Sequence, residues 1–122
     1  FKYLRDSKRV ERTSTSGYKY VYSEGRMTPY DNLNLPARTI LTSEGTVNRS
    51  THLLKINNRY RLITPVEAER LQGFPDNWTA KKKLANGDVI NVSDRMRMFI
   101  MGNALVTDII KDIANFIRKI EE

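Results

Sequence analysis

The chain has 122 residues, with 21 Lys and Arg against 14 Asp and Glu, a net charge of +7 and no cysteine. That length holds one domain with a modest core, or two small subdomains sharing one. Disulfides, thiolate metal sites and thiol catalysis by these residues are excluded, no apolar run approaches the ~20 residues of a membrane span, and no signal-peptide pattern opens the chain.

Residues 1–16 (FKYLRDSKRVERTSTS) are basic and lack clear periodicity, which reads as an irregular arm. Tyr18, Tyr20 and Tyr22 alternate with Lys19 and Val21, the period of a strand. Tyrosines on one sheet face usually pack; they are not by themselves a base-stacking platform. Ser23 to Pro29 is a loop punctuated by Gly25 and Pro29, and Asp31 to Pro36 is more loop. Arg38-Thr39-Ile40-Leu41-Thr42 reads as a short β-branched strand, followed by the polar loop Ser43–Ser50. His52–Ile56 and Arg59–Leu62, separated by Asn57-Asn58, predict a hairpin, because Asn tolerates the positive φ of a two-residue turn.

The character changes at Thr64. Thr64-Pro65-Val66-Glu67 has the pattern of a capping box with proline at the first helical position. Val66, Ala68 and Leu71 mark one helix face, Gly73 ends it and Pro75 stops any continuation. Lys81-Lys82-Lys83 with Asn86-Gly87 reads as a basic turn region; a lysine run can touch phosphate but is more often a solvated loop. Ser93 caps a second helix from Asp94 to about Met101, and Gly102-Asn103 interrupts. A third helix is expected from about Leu105 to Ile120. Val106, Ile109, Ile110, Ile113, Phe116, Ile117 and Ile120 give it a wide apolar stripe.

Charge is uneven along the chain. The first sixty residues hold 11 Lys and Arg against 5 Asp and Glu, and the remainder 10 against 9. The basic half therefore points to an anionic partner, most often nucleic acid; a basic protein with no such partner is the plainer alternative. No G-x-G-x-x-G or P-loop is present, and no cluster has metal-ligand spacing. The single histidine, His52, lies in a strand-like run where a structural role is commoner than a catalytic one. A binding module fits this inventory better than a complete enzyme.

Two loops in the basic half carry side chains that can read base edges. They hold Gly25 and Arg26, then Thr42, Ser43, Glu44, Gly45, Asn48, Arg49 and Ser50, with Thr39 just before. Arg grips guanine with two bonds, Asn pairs with adenine and Glu accepts from cytosine N4. Glycine lets backbone approach DNA closely. Ordinary surface loops share this composition.

Arg61 to Asp76 (RLITPVEAERLQGFPD) resembles the ninth sequence block of DNA (cytosine-5) methyltransferases. Met101-Gly102-Asn103-Ala104-Leu105-Val106 is similar to the tenth, with Leu105 where Val is usual. Ala37 to Gly45 resembles the segment entering that family's second recognition loop, and Ser23-Glu24-Gly25-Arg26 falls where the first would be. The resemblance spans about residues 18–120. It implies a fold of class α+β: a small irregular β recognition domain, then helices, the last belonging with a cofactor-binding domain elsewhere. Residues 1–78 would form the target-recognition domain and 79–122 the helical return to the catalytic part.

The same resemblance implies recognition of double-stranded DNA in the major groove by a bacterial, cytoplasmic enzyme, commonly of a restriction-modification system. That enzyme would move a methyl group from S-adenosylmethionine to C5 of a flipped cytosine. Gly102, Asn103 and Ala104 would touch the cofactor. The nucleophilic cysteine would lie in an N-terminal catalytic domain of the same protein. Phe1 in place of a starting Met agrees with a piece of a longer protein, inactive alone. The freed apolar stripe would let such a piece self-associate through its last helix. A free-standing basic DNA-binding regulator is the alternative, but no second helix follows the Gly73 turn directly, so a helix-turn-helix reading fails.

Overall fold

The computed structural model describes residues 9–23, 25–26 and 30–121. The expected arm over residues 1–8, and Glu24 and Met27 to Pro29 of the first loop, lie outside the described residues. Among those described are three antiparallel hairpins, none joined to another, and three helices: one between the second and third hairpins and two after the third. This is an α+β fold, as expected.

The first hairpin corrects the irregular arm. β1 (Arg9–Thr13) pairs with β2 (Lys19–Ser23), Arg9 opposite Ser23 and Thr13 opposite Lys19. Ser14 closes the turn: its N–H donates to the Tyr18 carbonyl at 2.8 Å, and its carbonyl accepts from Gly17 at 3.0 Å. Gly17 sits at φ +83°, a conformation glycine adopts freely. Both strands are largely exposed, so no alternation of burial marked β1. The Arg12 guanidinium covers the Tyr22 ring at 4.2 Å.

The second hairpin matches the expectation. β3 (Leu53–Ile56) pairs with β4 (Arg59–Leu62), and Asn57 and Asn58 take φ of 48° and 60°. Both turn residues are left-handed, as a two-residue turn between right-twisting strands requires. The capping box then starts α1 (Pro65–Leu71). The Thr64 hydroxyl accepts from the Glu67 N–H at 3.2 Å, and the Glu67 carboxylate accepts from the Thr64 N–H at 2.8 Å. Arg61 donates to both Glu67 oxygens at 2.7 Å, tying β4 to α1. That guanidinium outweighs partial burial and holds Glu67 down at about 2. Gly73, at φ +79°, turns the chain out of α1.

The lysine run is a strand and not a loop. β5 (Lys81–Lys83) pairs with β6 (Val89–Asn91) around the Asn86-Gly87 turn, with all three lysines exposed. Backbone pairing is indifferent to the charge a solvated side chain carries. Ser93 caps α2 (Asp94–Asn103), accepting from the Met96 N–H at 3.4 Å. Gly102 and Asn103 are the last residues of α2 and do not interrupt it; the break falls at Ala104 to Val106. α3 (Thr107–Glu121) follows.

Ile40, Leu54, Ile63, Ala68, Met98 and Met101 form the core, with Phe74 and Ala104 packed on it. They come from the coil before the second loop, β3, the end of the hairpin, α1 and α2. Beside the core lies a buried ionic cluster. Glu69 of α1, with no exposed surface, accepts from the Asn77 N–H at 2.7 Å, the Thr79 N–H at 2.9 Å and Arg97 of α2 at 3.0 Å. The Thr79 hydroxyl adds a fourth bond. Burial pushes this carboxyl up, but the donors from Thr79, Arg97 and Asn77 overcome it and hold the group below its ordinary value.

α3 differs from the other helices. Its first residue is anchored, the Thr107 N–H donating to the Gln72 carbonyl and its hydroxyl to the Gly73 carbonyl, each at 3.0 Å. No residue of α3 is buried, and Phe116 and Ile120 are 65% and 69% exposed. No described helix is long and apolar enough to cross a membrane.

Candidate nucleic-acid interface

The second loop is a clasp built from side chains. The expected strand over Arg38–Thr42 does not form. Ile40 is buried in the core, Leu41 is extended, and Thr42–Gly45 makes one 3-10 turn. The β-branched pattern was present but no neighbouring strand receives it, so side chains supply the hydrogen bonds instead.

Asp31 and Arg38 tie the loop's base. Arg38 donates to the two Asp31 oxygens at 2.6 and 3.0 Å and to the carbonyls of Ser50 and Thr51 at 3.1 and 3.2 Å. Asp31 also accepts from the Leu53 N–H at 2.8 Å. His52 ties three points. Its N–H donates to Glu44 Oε1 at 2.7 Å, its Nδ1 lies 3.1 Å from Glu44 Oε2, and its Nε2 lies 3.1 Å from the Arg38 carbonyl. Asn48 ties the far side: its amide donates to the Ser43 and Thr46 carbonyls at 3.1 and 2.9 Å and accepts from the Ser50 N–H at 2.9 Å. Thr51 bridges Thr46 and Asn48 through its hydroxyl.

Helix α2 backs the turn. A Cβ on Gly102 would collide with the backbone of Leu41 and Thr42, and one on Gly45 would press within 3.1–3.2 Å of Arg95. The two glycines let the 3-10 turn and α2 touch along their backbones.

The base-reading candidates therefore divide. Arg26, Thr39, Thr42, Ser43 and Arg49 are exposed. Gly25, at φ +78°, is half-buried, and a Cβ there would lie 3.8 Å from Arg49 Nη1, so the two loops meet. Glu44 faces inward, 3% exposed, with both oxygens engaged by His52. Gly45 meets Arg95. The Asn48 amide is committed at both ends, and the half-buried Ser50 gives its carbonyl to Arg38. The positioning residues Asp31, Arg38, Thr51 and Arg95 carried no sequence signal, because they are polar residues of loops and an exposed helix face.

Of the three cofactor candidates, Gly102 packs on the loop, Asn103 is exposed with its amide donating to the Phe99 carbonyl at 3.0 Å, and Ala104 lies against the core. Asn103 and Ala104 border an open cavity of about 640 Å³ with Phe74, Trp78 and Phe99. No carboxylate lines it, so this donor set offers one wall and not a complete site for S-adenosylmethionine, whose ribose hydroxyls and amino group need acceptors. Among the described residues, no cluster could hold a metal ion.

A family model described as C-5 cytosine-specific DNA methylase matches residues 2–119. The type II methyltransferase M.Sau3AI of Staphylococcus aureus is 51% identical over 121 residues, covering 99% of this chain and 27% of that protein. The chain thus spans about a quarter of that relative's length. No solved structure matches significantly.

Proposed function

The chain belongs to the C-5 cytosine-specific DNA methylase family, and on that premise we propose that it selects the target site for such an enzyme. One observation carries the reading: the hydrogen-bonded second loop leaves Thr42, Ser43 and Arg49 exposed, and Gly25, next to the exposed Arg26, lies beside Arg49. Residues 1–78 present these groups to the major groove, and 79–122 return toward the catalytic part. Glu44 and Asn48 act as frame and not as readers.

The reaction proposed for the whole enzyme is methyl transfer from S-adenosylmethionine to C5 of a flipped cytosine. A thiolate must attack C6, and with no cysteine this chain leaves that step to another part of the enzyme. Asn103 and Ala104 contribute at most an edge of the cofactor's pocket.

Selection from a randomised duplex library at moderate and high salt tests the reading. Enrichment of one short cytosine-containing motif that survives high salt is the expected result. Salt-sensitive binding without a motif would reduce the basic half to phosphate contact. Arg26→Ala and Arg49→Ala should each relax the motif at one position and cost about 1–3 kcal/mol. An equal loss on every duplex would assign them to phosphate.

Alone, the chain should self-associate through α3, whose Ile113, Phe116 and Ile117 are half-exposed or more. Light scattering is expected to give a mass that rises with concentration and falls back in a Phe116→Glu variant. A constant monomer mass with α3 ordered would count against this.

A further inference from the structure

We propose that His52 is a positioning residue for sequence recognition, and that it works as an imidazolium that locks the second loop. The proposal rests on the recognition reading above and adds a proton to it.

The geometry leaves the ring one fully bonded state. Nδ1 faces a carboxylate oxygen and Nε2 faces a backbone carbonyl, each at 3.1 Å. Both are acceptors, so both ring nitrogens must carry hydrogen, which only the cation provides. A neutral ring leaves one nitrogen lone pair against an oxygen in a site where the His52 side chain is 2% exposed.

Charge balance agrees. The charged groups facing His52 are Glu44 from the 3-10 turn and Asp31 and Arg38 from the preceding coil. Two carboxylates and one guanidinium leave the cluster at −1 unless the ring is charged. Arg38 pairs with Asp31, so a neutral ring would leave the buried Glu44 carboxylate, 1% exposed, without a cation against it, which is costly. The Glu44 hydrogen bond raises His52 above the ordinary imidazole value against the opposing pull of burial.

Position gives this proton its reach. Through Arg38, Glu44 and its own backbone, His52 joins the entry, middle and exit of the loop that carries Thr42, Ser43 and Arg49. Losing the proton removes one of the two ring bonds, to Glu44 or to Arg38, and sets a lone pair against that oxygen, so one of the loop's ties is released. The exposed arginines and lysines stay charged, so attraction to phosphate is unchanged. Selectivity should therefore fall with rising pH while non-specific affinity holds.

His52 is the only histidine, so its titration is unambiguous. Proton NMR of the 122-residue chain should place its midpoint above the ordinary ~6.5. Amide protection at Glu44, Thr46 and Ser50, taken relative to the unstructured rate at each pH, should fall over the same pH range. Affinity for a selected duplex over a scrambled one should drop about tenfold across that range, as expected for one buried charged hydrogen bond. His52→Gln should flatten this pH dependence. A midpoint at or below ~6.5, or loop exchange that ignores it, overturns the proposal whatever the DNA result. Coupled titration and exchange with no duplex preference at any pH would instead refute the recognition reading and leave the latch standing.

Discussion

Glu69→Ala is expected to destabilise the chain by about 3–5 kcal/mol, the cost of breaking a buried ion pair from one side. The loss comes from what remains. Arg97, 11% exposed at its side chain, would keep a positive charge with the neutral Thr79 hydroxyl and Asn77 amide oxygen beside it and its carboxylate partner gone. The Asn77 and Thr79 N–H groups would lose their acceptor. For a domain with typical stability of about 5–15 kcal/mol, this is a large fraction. Urea unfolding followed by circular dichroism measures it. Glu69→Ala combined with Arg97→Met should recover part of the loss, because the orphaned charge is gone; strict additivity would mean the two residues do not act as a pair. Acid makes the same point without mutation. The folded carboxyl is depressed, so its contribution is complete above the ordinary value of 4.5 and is lost as pH falls through the lower folded value.

Gly102→Ala should also destabilise, by about 1–3 kcal/mol, with Gly102→Val worse. Two effects compete at this position. Alanine is favoured over glycine in a helix by about 1 kcal/mol, and Gly102 lies in α2. Against that, the added methyl would meet the Leu41 carbonyl group and the Thr42 nitrogen. These are backbone atoms that cannot rotate away, so the collision wins. The loop must move off the helix, and the amide resonances of Thr42 and Ser43 should shift more than those of β5 and β6. A Gly102→Ala variant of raised Tm would remove this account.

The elements legible in the sequence were those whose instructions are local. Asn57-Asn58 specifies its turn by the φ values it tolerates, and Thr64, Pro65 and Glu67 cap a helix within four residues. Ser93 does the same for α2. Elements set by pairing or packing rather than by their own residues were not legible. β1 is polar and exposed, so only its pairing defines it. Ile40 and its neighbours have strand propensity but face α2 rather than a strand. At the site, residue type leaves two uses open where chemistry allows both. Glu44 and Asn48 suit base edges, yet both are consumed inside the loop, and Gly102 suits a ligand contact yet faces a turn. Nothing in composition tells a reader from a frame; only the partner at 3 Å does.

The clasp around the 3-10 turn also bears on how such a surface can change. A loop held by strand pairing transmits any insertion or register slip to its neighbours. Here the holding groups are Asp31, Arg38, Glu44, Asn48, Thr51 and His52, and the outward groups Thr42, Ser43 and Arg49 are interleaved with them. Holding and display fall on separate positions of one short segment. A library should therefore keep the first set and randomise Thr42 and Ser43, whose exposed side chains are not the groups that tie Asp31, Arg38, Glu44, Asn48, Thr51 and His52 together.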